Sequence, residues 1–388
     1  MLFRSKLFKS LLVAPATLGL LAPLSANATE VNLNEIANYS ADVETIEFAN
    51  SFGPDDSNKD SLLAGGEGLV DDDSHDGSFS ETTTASFGLD FYLGSTDDDD
   101  SVADDALTFG YSLGIGLNTS FTGEDSLDIT LDAGNVTEGV SEFDGNTTGD
   151  TLIVDGISYT FPLGDATMIV GDSTDGSALF TTACAYGGPS NTLDDCGNVN
   201  AGITGGEATI GASYDFGNGF TAATGFQTSS TTKGVFTDES SDAYAFNAAY
   251  TADSYGVSLT YSVVENAGLT NEDTFTAANA YYTPEGNLPS VSVGYEIGDL
   301  GGAASSNDEK TSFFVGLTWD EVGPGSAGIA MGHSNTMEAD EEAYMYEAYY
   351  SYPVNDGMTI TPLIFTKDNA TAGKDDTTGV MVKTSFSF

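Results

Sequence analysis

The chain has 388 residues, 60 of them acidic and nine basic, for a net charge of −51. Arg4, Lys6 and Lys9 crowd the first nine positions, so loss of a leader leaves six lysines against 60 acids, a net charge of −54. That balance excludes a nucleic-acid binder, which needs clustered Lys and Arg, and argues against a basic protein held at a membrane surface.

Residues 1–28 read as a secretory signal peptide. Arg4, Lys6 and Lys9 form the positive start, Leu11 to Ala22 the apolar stretch, and Ala26-Asn27-Ala28 the small-x-small cleavage site. Beyond it no apolar run approaches 18 residues, which excludes a helical membrane protein. Residues 29–83 are acidic and weakly patterned and read as a short helix or coil and a linker. Asp71-Asp72-Asp73, and later Asp97-Asp98-Asp99-Asp100, could offer oxygen ligands to Ca²⁺. They lack the glycine spacing of an EF-hand loop, read as solvated charge, and support no metal site. Gly65-Gly66-Glu67-Gly68 begins like a calcium-binding nonapeptide but occurs once, where such folds need several copies.

From Thr84 the texture changes to segments of about ten residues with alternating polarity, separated by Gly/Asp/Asn/Ser turns. In Leu107 to Leu117 every odd position is large and apolar and every even one is Gly, Ser or Thr. A period of two puts one face against an apolar medium and the other against water. Sixteen strands are predicted: 84–93, 106–117, 127–133, 152–163, 166–171, 207–216, 220–226, 242–251, 255–264, 274–283, 290–298, 310–320, 326–333, 342–352, 357–366 and 378–388. The even count suits a bacterial outer-membrane barrel.

Connections after even strands include the short Gly164-Asp165, Gly217-Asn218-Gly219, Ala252-Asp253-Ser254 and 353–356, whereas odd strands are followed mostly by long ones such as 134–151 and 172–206. Short periplasmic turns and long external loops are the outer-membrane pattern. Tyr159, Phe161, Tyr214, Phe216, Tyr250, Tyr282, Trp319, Tyr350, Tyr352, Phe386 and Phe388 fall near the ends of even strands, as an aromatic girdle would. A soluble two-sheet protein would explain the alternation but neither of these features. The expected architecture is all-β: a 16-stranded antiparallel transmembrane β-barrel over 84–388.

Cys184 and Cys196 are the only cysteines, and an even count in a secreted chain suggests one disulfide. The two histidines, His75 in the linker and His333 at a strand end, give little support to Ser/His/Asp catalysis. No enzyme activity and no cofactor are expected.

Several segments resemble the cyanobacterial outer-membrane porins related to the OprB carbohydrate-selective porins. They are Ser10 to Ala16, Asn118 to Gly123 continuing to Ala133-Gly134-Asn135, Tyr159 to Asp165, Val315 to Trp319 with Gly323-Pro324-Gly325, and Thr359 to Pro362. The terminal Phe388 is similar to the C-terminal signal read by the barrel-assembly machinery. Where that family usually carries an S-layer-homology domain between leader and barrel, residues 29–83 stand without a Trp, so wall anchoring by that module is not expected. The chain also places Asp128 and Thr130 where the family pattern carries arginines. The resemblance implies an outer-membrane location among lipid and lipopolysaccharide and diffusion of small hydrophilic solutes such as sugars, nutrients and ions. General porins suggest a homotrimer.

A pore selects by width and wall charge. Strand parity puts Asp90, Asp128, Asp132, Glu296, Glu347 and Lys383 on the inner wall, which points to a cation preference. The resemblance to 16-stranded porins implies that the third long loop, 172–206, folds inward. Cys184–Cys196 would stiffen it, and Asp194 and Asp195 would present charge at the constriction. An ordinary surface loop stapled against proteases is the alternative. At the level of the whole protein the rival is an acidic, non-conducting surface protein or adhesin.

Overall fold

The computed structural model describes residues 83–97, 106–229, 234, 235, 237, 239–265, 271–301, 307–338, 340, 342–369 and 375–388. The leader, the linker, Asp71-Asp72-Asp73, His75 and most of the later Asp run lie outside the described residues.

Sixteen strands follow one another: β1 Thr83–Asp97, β2 Thr108–Thr119, β3 Ser126–Gly134, β4 Ile153–Leu163, β5 Ala166–Asp172, β6 Ala208–Gly217, β7 Phe220–Thr228 and β8 Asp242–Thr251. The rest are β9 Tyr255–Glu265, β10 Glu272–Tyr282, β11 Ser290–Leu300, β12 Glu309–Val322, β13 Gly325–Met337, β14 Met345–Asn355, β15 Met358–Lys367 and β16 Thr377–Ser387. Each pairs antiparallel with its sequence neighbours, and β16 returns to β1, closing the barrel. Closure leaves no free sheet edge, so every strand has a partner on both sides. Phe388 completes the seam. Its backbone exchanges hydrogen bonds with Phe87 at 2.9 and 3.1 Å, and their rings stack at 5.6 Å.

The period-two pattern becomes two faces. Phe109, Ile157, Phe246, Leu259, Tyr295, Ile329 and Ile364 point outward and are exposed as large apolar side chains. In a water-soluble protein so continuous an apolar exterior would be a liability, whereas in a transmembrane barrel it is the surface that lipid covers. The inward positions are Ser258, Thr260, Ser292, Ser312, Thr361 and their neighbours. At the short-turn end aromatic pairs band the barrel, among them Tyr159–Phe161 at 5.3 Å, Tyr214–Phe216 at 4.7 Å and Phe220–Tyr250 at 4.5 Å.

Three details differ from the sequence expectation. β14 runs three residues further than predicted, to Asn355, because Pro353 still pairs with Thr359 and, across a register shift, Asn355 pairs with Met358. His333 lies inside β13 and is buried, with rings of Phe313 and Tyr344 at 6.2 and 5.3 Å. A 3-10 helix, Glu138–Phe143, occupies a connection expected to be coil.

β5 has only seven residues. About 9–11 tilted residues are needed to cross the hydrocarbon layer. A chain leaving so short a strand in a membrane barrel would still be at membrane depth, where irregular backbone is tolerated only against protein or a water-filled cavity. The chain turns inward.

Candidate pore and its inward loops

The connection from β5 to β6, residues 173–207, runs along the inner wall rather than over the rim. Its outgoing lane is pinned rung by rung. Thr181 N–H donates to Asn247 Oδ1 on β8 at 3.0 Å, Ala183 N–H to Ser258 Oγ on β9 at 2.9 Å, and Ala185 N–H to Ser292 Oγ on β11 at 2.8 Å. Tyr186 then reaches β14, donating its hydroxyl to Glu347 Oε1 at 2.5 Å. Cys184 and Cys196 form a disulfide with Cα atoms 6.4 Å apart. On the return lane Asn279 Nδ2 on β10 donates to Cys196 O at 2.8 Å, and Gln227 Nε2 on β7 to Thr204 O at 2.7 Å. A loop's backbone groups need partners once they leave water, and inward Ser, Asn and Gln side chains supply them.

Two acids on the wall hold this loop. Glu296 is 1% exposed. Its carboxylate accepts Asn200 N–H and Ala201 N–H, both at 2.8 Å, and Asn200 Nδ2–H at 2.6 Å. Charge-assisted bonds of this kind are about twice as strong as neutral ones. Glu347 is 4% exposed and is bound more sparsely, since its Oε2 meets no donor among the described residues. The neighbouring phenol of Tyr186 is pushed well above the usual tyrosine range, first by burial and then by the Glu347 charge.

Glycines make the close approach possible. A Cβ on Gly294 would sit 1.8 Å from Cys196 O, and one on Gly225 would sit 1.8 Å from Gly176 O. The loop backbone lies directly on those two strands.

A second connection also comes inward. The 3-10 helix at 138–143 packs against β1 and β2. Val140 and Phe143 are buried in one apolar cluster with Tyr92, Met381 and Phe365 of the wall and Tyr186 and Leu193 of the longer loop.

One sector of wall remains bare. Asp128 and Thr130 on β3, Asp155 and Ser158 on β4, and Thr174 and Asp175 at the loop's stem line an open space of about 300 Å³. Asp128 accepts from Asn118 Nδ2 and Ser126 Oγ, each at 2.6 Å. Asp194 and Asp195, on the loop, reach water, yet wall and loop groups crowd them. Burial first, then repulsion from Asp195 and Asp144, pushes the Asp194 carboxyl up to about 7. Burial, then Glu296, Asp144 and Asp175, pushes Asp195 up to about 6.

The expected wall residues thus divide. Asp128 lines the bare sector, and Asp132 lies further along β3 near Asp155 and the Asn146 side chain. Asp90 is half-buried on β1, accepting from Tyr92 Oη at 3.3 Å, and Lys383 is half-buried on β16 opposite Tyr92. Glu296 and Glu347 point inward but lie under the loop, where they meet loop donors instead of the open lumen. The reason is that parity fixes which face a side chain is on and says nothing of what covers that face. Sequence reasoning missed Tyr186, Asn200, Glu142 and Lys367. Among the described residues no group of three or more His, Cys, Asp or Glu is arranged to hold a metal ion.

No family model and no curated protein matches the chain. Solved structures do. Pseudomonas putida OprB superposes with a TM-score of 0.59 at 12% identity, covering 79% of this chain and 94% of that one. An anion-selective porin from Comamonas acidovorans gives 0.57 at 16% identity, with 79% and 99% covered. A Rh. blastica porin mutant gives 0.52 at 12% identity, with 79% and 100% covered. The fold is the 16-stranded barrel of outer-membrane porins.

Proposed function

We propose that this chain is an outer-membrane porin: a passive channel for small hydrophilic solutes, sugars and inorganic ions among them, with a preference for cations. The observation that carries the reading is the closed barrel with an apolar exterior and an interior sector left bare by the inward loop and walled by Asp128, Asp155 and Asp175. Fixed carboxylates beside confined water raise the local concentration of cations and repel anions. Only three lysines, Lys310, Lys367 and Lys383, fall among the described residues, and no arginine does. In this reading the long-loop end is external and the short-turn end periplasmic. Residues 1–28 direct export, and Phe388 is presented to the assembly machinery, being 76% exposed. Lipid and lipopolysaccharide cover the outer face, and three copies associate as in general porins.

Reversal potential in a planar bilayer under a salt gradient tests the sign. Cation preference is expected; anion preference would overturn the assignment of Asp128, Asp155 and Asp175 as the selecting charges.

One observation favours a second reading. The apolar cluster that Val140, Phe143, Tyr186 and Leu193 build inside the lumen resembles a plug more than a lining. A non-conducting surface barrel would have the same exterior. Single-channel recording separates the two readings, because a plugged barrel shows no unitary steps.

A further inference from the structure

The two inward loops meet, and they meet around one lysine. Lys367 ends β15 at the long-loop rim. Its ammonium lies 3.2 Å from Glu142 Oε1 on the shorter loop and 3.1 Å from Thr192 Oγ1 on the longer one. Thr192 Oγ1 also donates to Glu142 Oε2 at 2.8 Å, and Asn191 N–H donates to Glu142 O at 2.9 Å. The ion pair joins positions 225 residues apart in sequence. Around it each loop covers a different arc of wall. The longer one follows β7 round to β14. The shorter one covers Gly94 on β1, Gly110 on β2 and Met381 on β16. Together they leave the β3–β4 arc, where Thr130 and Asp155 are exposed.

We propose that Glu142 and Lys367 are positioning residues that couple the two loops into one continuous strap, so that the water-filled passage is confined to the β3–β5 side and takes its selectivity from Asp128, Asp155 and Asp175. This rests on the channel reading. It adds that the constriction belongs to two loops and lies off the barrel axis. The strap is closed by a contact between loops, whereas its two ends are held by the wall. Cutting the contact therefore frees the middle of the strap without removing its anchors at Glu296 and Val140.

The test uses single cysteines in the full chain, folded and checked by heat-modifiable gel migration. The two native cysteines are bonded to each other, so there is no background thiol. The probe is a charged, membrane-impermeant methanethiosulfonate. With the strap intact, Thr130→Cys is expected to react and to lower the single-channel current. Leu363→Cys, 2% exposed beneath the strap, is expected to react at least about tenfold more slowly, as buried groups do until they open. Adding Glu142→Gln or Lys367→Met is expected to abolish that protection and raise unitary conductance. The exchanged pair Glu142→Lys with Lys367→Glu is expected to restore both. Equal reactivity at the two positions in the intact strap, or a protected Thr130→Cys in a conducting barrel, would overturn the off-axis passage. Unchanged protection and conductance after cutting the pair would overturn the latch. Absence of any unitary current, with Thr130→Cys still reactive, would remove the channel reading while leaving the strap in place.

Discussion

The inner wall has two kinds of sector, and the same residue types behave differently in each. On β11 an inward glycine and an inward glutamate are both consumed by the loop: Gly294 lies under Cys196 O, and Glu296 binds three N–H groups. On β1, β3 and β4 an inward glycine and inward aspartates face open space, with no atom within 4 Å of a Cβ on Gly88 and with Asp128 and Asp155 lining the cavity. A polar inward face is thus a permissive surface. It stays open to water where nothing lies on it and serves as a docking surface where backbone does.

That contrast is broken most severely by a side chain placed under the strap. Gly294→Val inserts atoms 1.8 Å from Cys196 O and 2.6 Å from Asn279 Nδ2, so the return lane has to lift. Overpacking against backbone costs about 1–3 kcal/mol. The expected outcome is new protease cleavage within 173–207 and a lower temperature for the gel-mobility transition. Gly88→Ala, on β1 where a Cβ meets open space, is expected to leave both unchanged. Similar behaviour of the two variants would mean that the strap does not rest on β11.

The next effect separates the two buried glutamates. Replacing Glu296 by Ala orphans two backbone N–H groups and leaves the Asn200 amide with only Asn335 Oδ1 as acceptor, and each bond to a charged group contributes roughly 1.5–3 kcal/mol. Glu347→Gln loses far less, because only Oε1 is engaged and an amide still accepts from Tyr186. Protease release of the strap is expected to be large for Glu296→Ala and small for Glu347→Gln. The reverse order would show that Tyr186, not the Asn200 turn, is the main anchor.

How far the sequence foretold all this follows the same division. The strands were legible because alternation such as Leu107 to Leu117 reports a single local fact, the face each residue takes. The short turns were legible through Gly164-Asp165 and Gly217-Asn218-Gly219, of which Gly164, Gly217, Asn218 and Gly219 take positive φ as such turns require. The strap's contacts were not legible. Ser258, Ser292 and Asn247 look like any lumen residue, and Gly294 looks like any other glycine in a chain that has 46. Glu142 sits in a connection and Lys367 at the end of a strand, with nothing local to pair them. The inward course itself was expected from the resemblance of 172–206 to a porin third loop, and the seven residues of β5, too few for a spanning strand, agree with it.

The smallest effect concerns the acids that the strap itself carries. Asp194, raised to about 7, and Asp195, raised to about 6, are neutral in much of the population at pH 5 and charged at pH 8. The carboxylates that face them, Asp144, Asp175 and Glu296, come from both loops and from β11. Charge therefore enters the lumen over an interval in which ordinary carboxylates no longer titrate. The cation-to-anion permeability ratio is expected to rise roughly twofold from pH 5 to pH 8, since added negative charge concentrates cations near it. The double variant Asp194→Asn with Asp195→Asn is expected to flatten that rise while keeping the preference set by Asp128 and Asp155. The sign for stability is opposite. Because the folded strap holds these protons more tightly than a free chain does, the two acids favour the folded state below about pH 4, and that contribution is lost as pH passes 6 and then 7. Strap protection from protease should then be greater at pH 5 than at pH 8, even as selectivity runs the other way. A ratio that does not change with pH would place Asp194 and Asp195 outside the path of the permeating ions, and leave the bare sector as the sole source of selectivity.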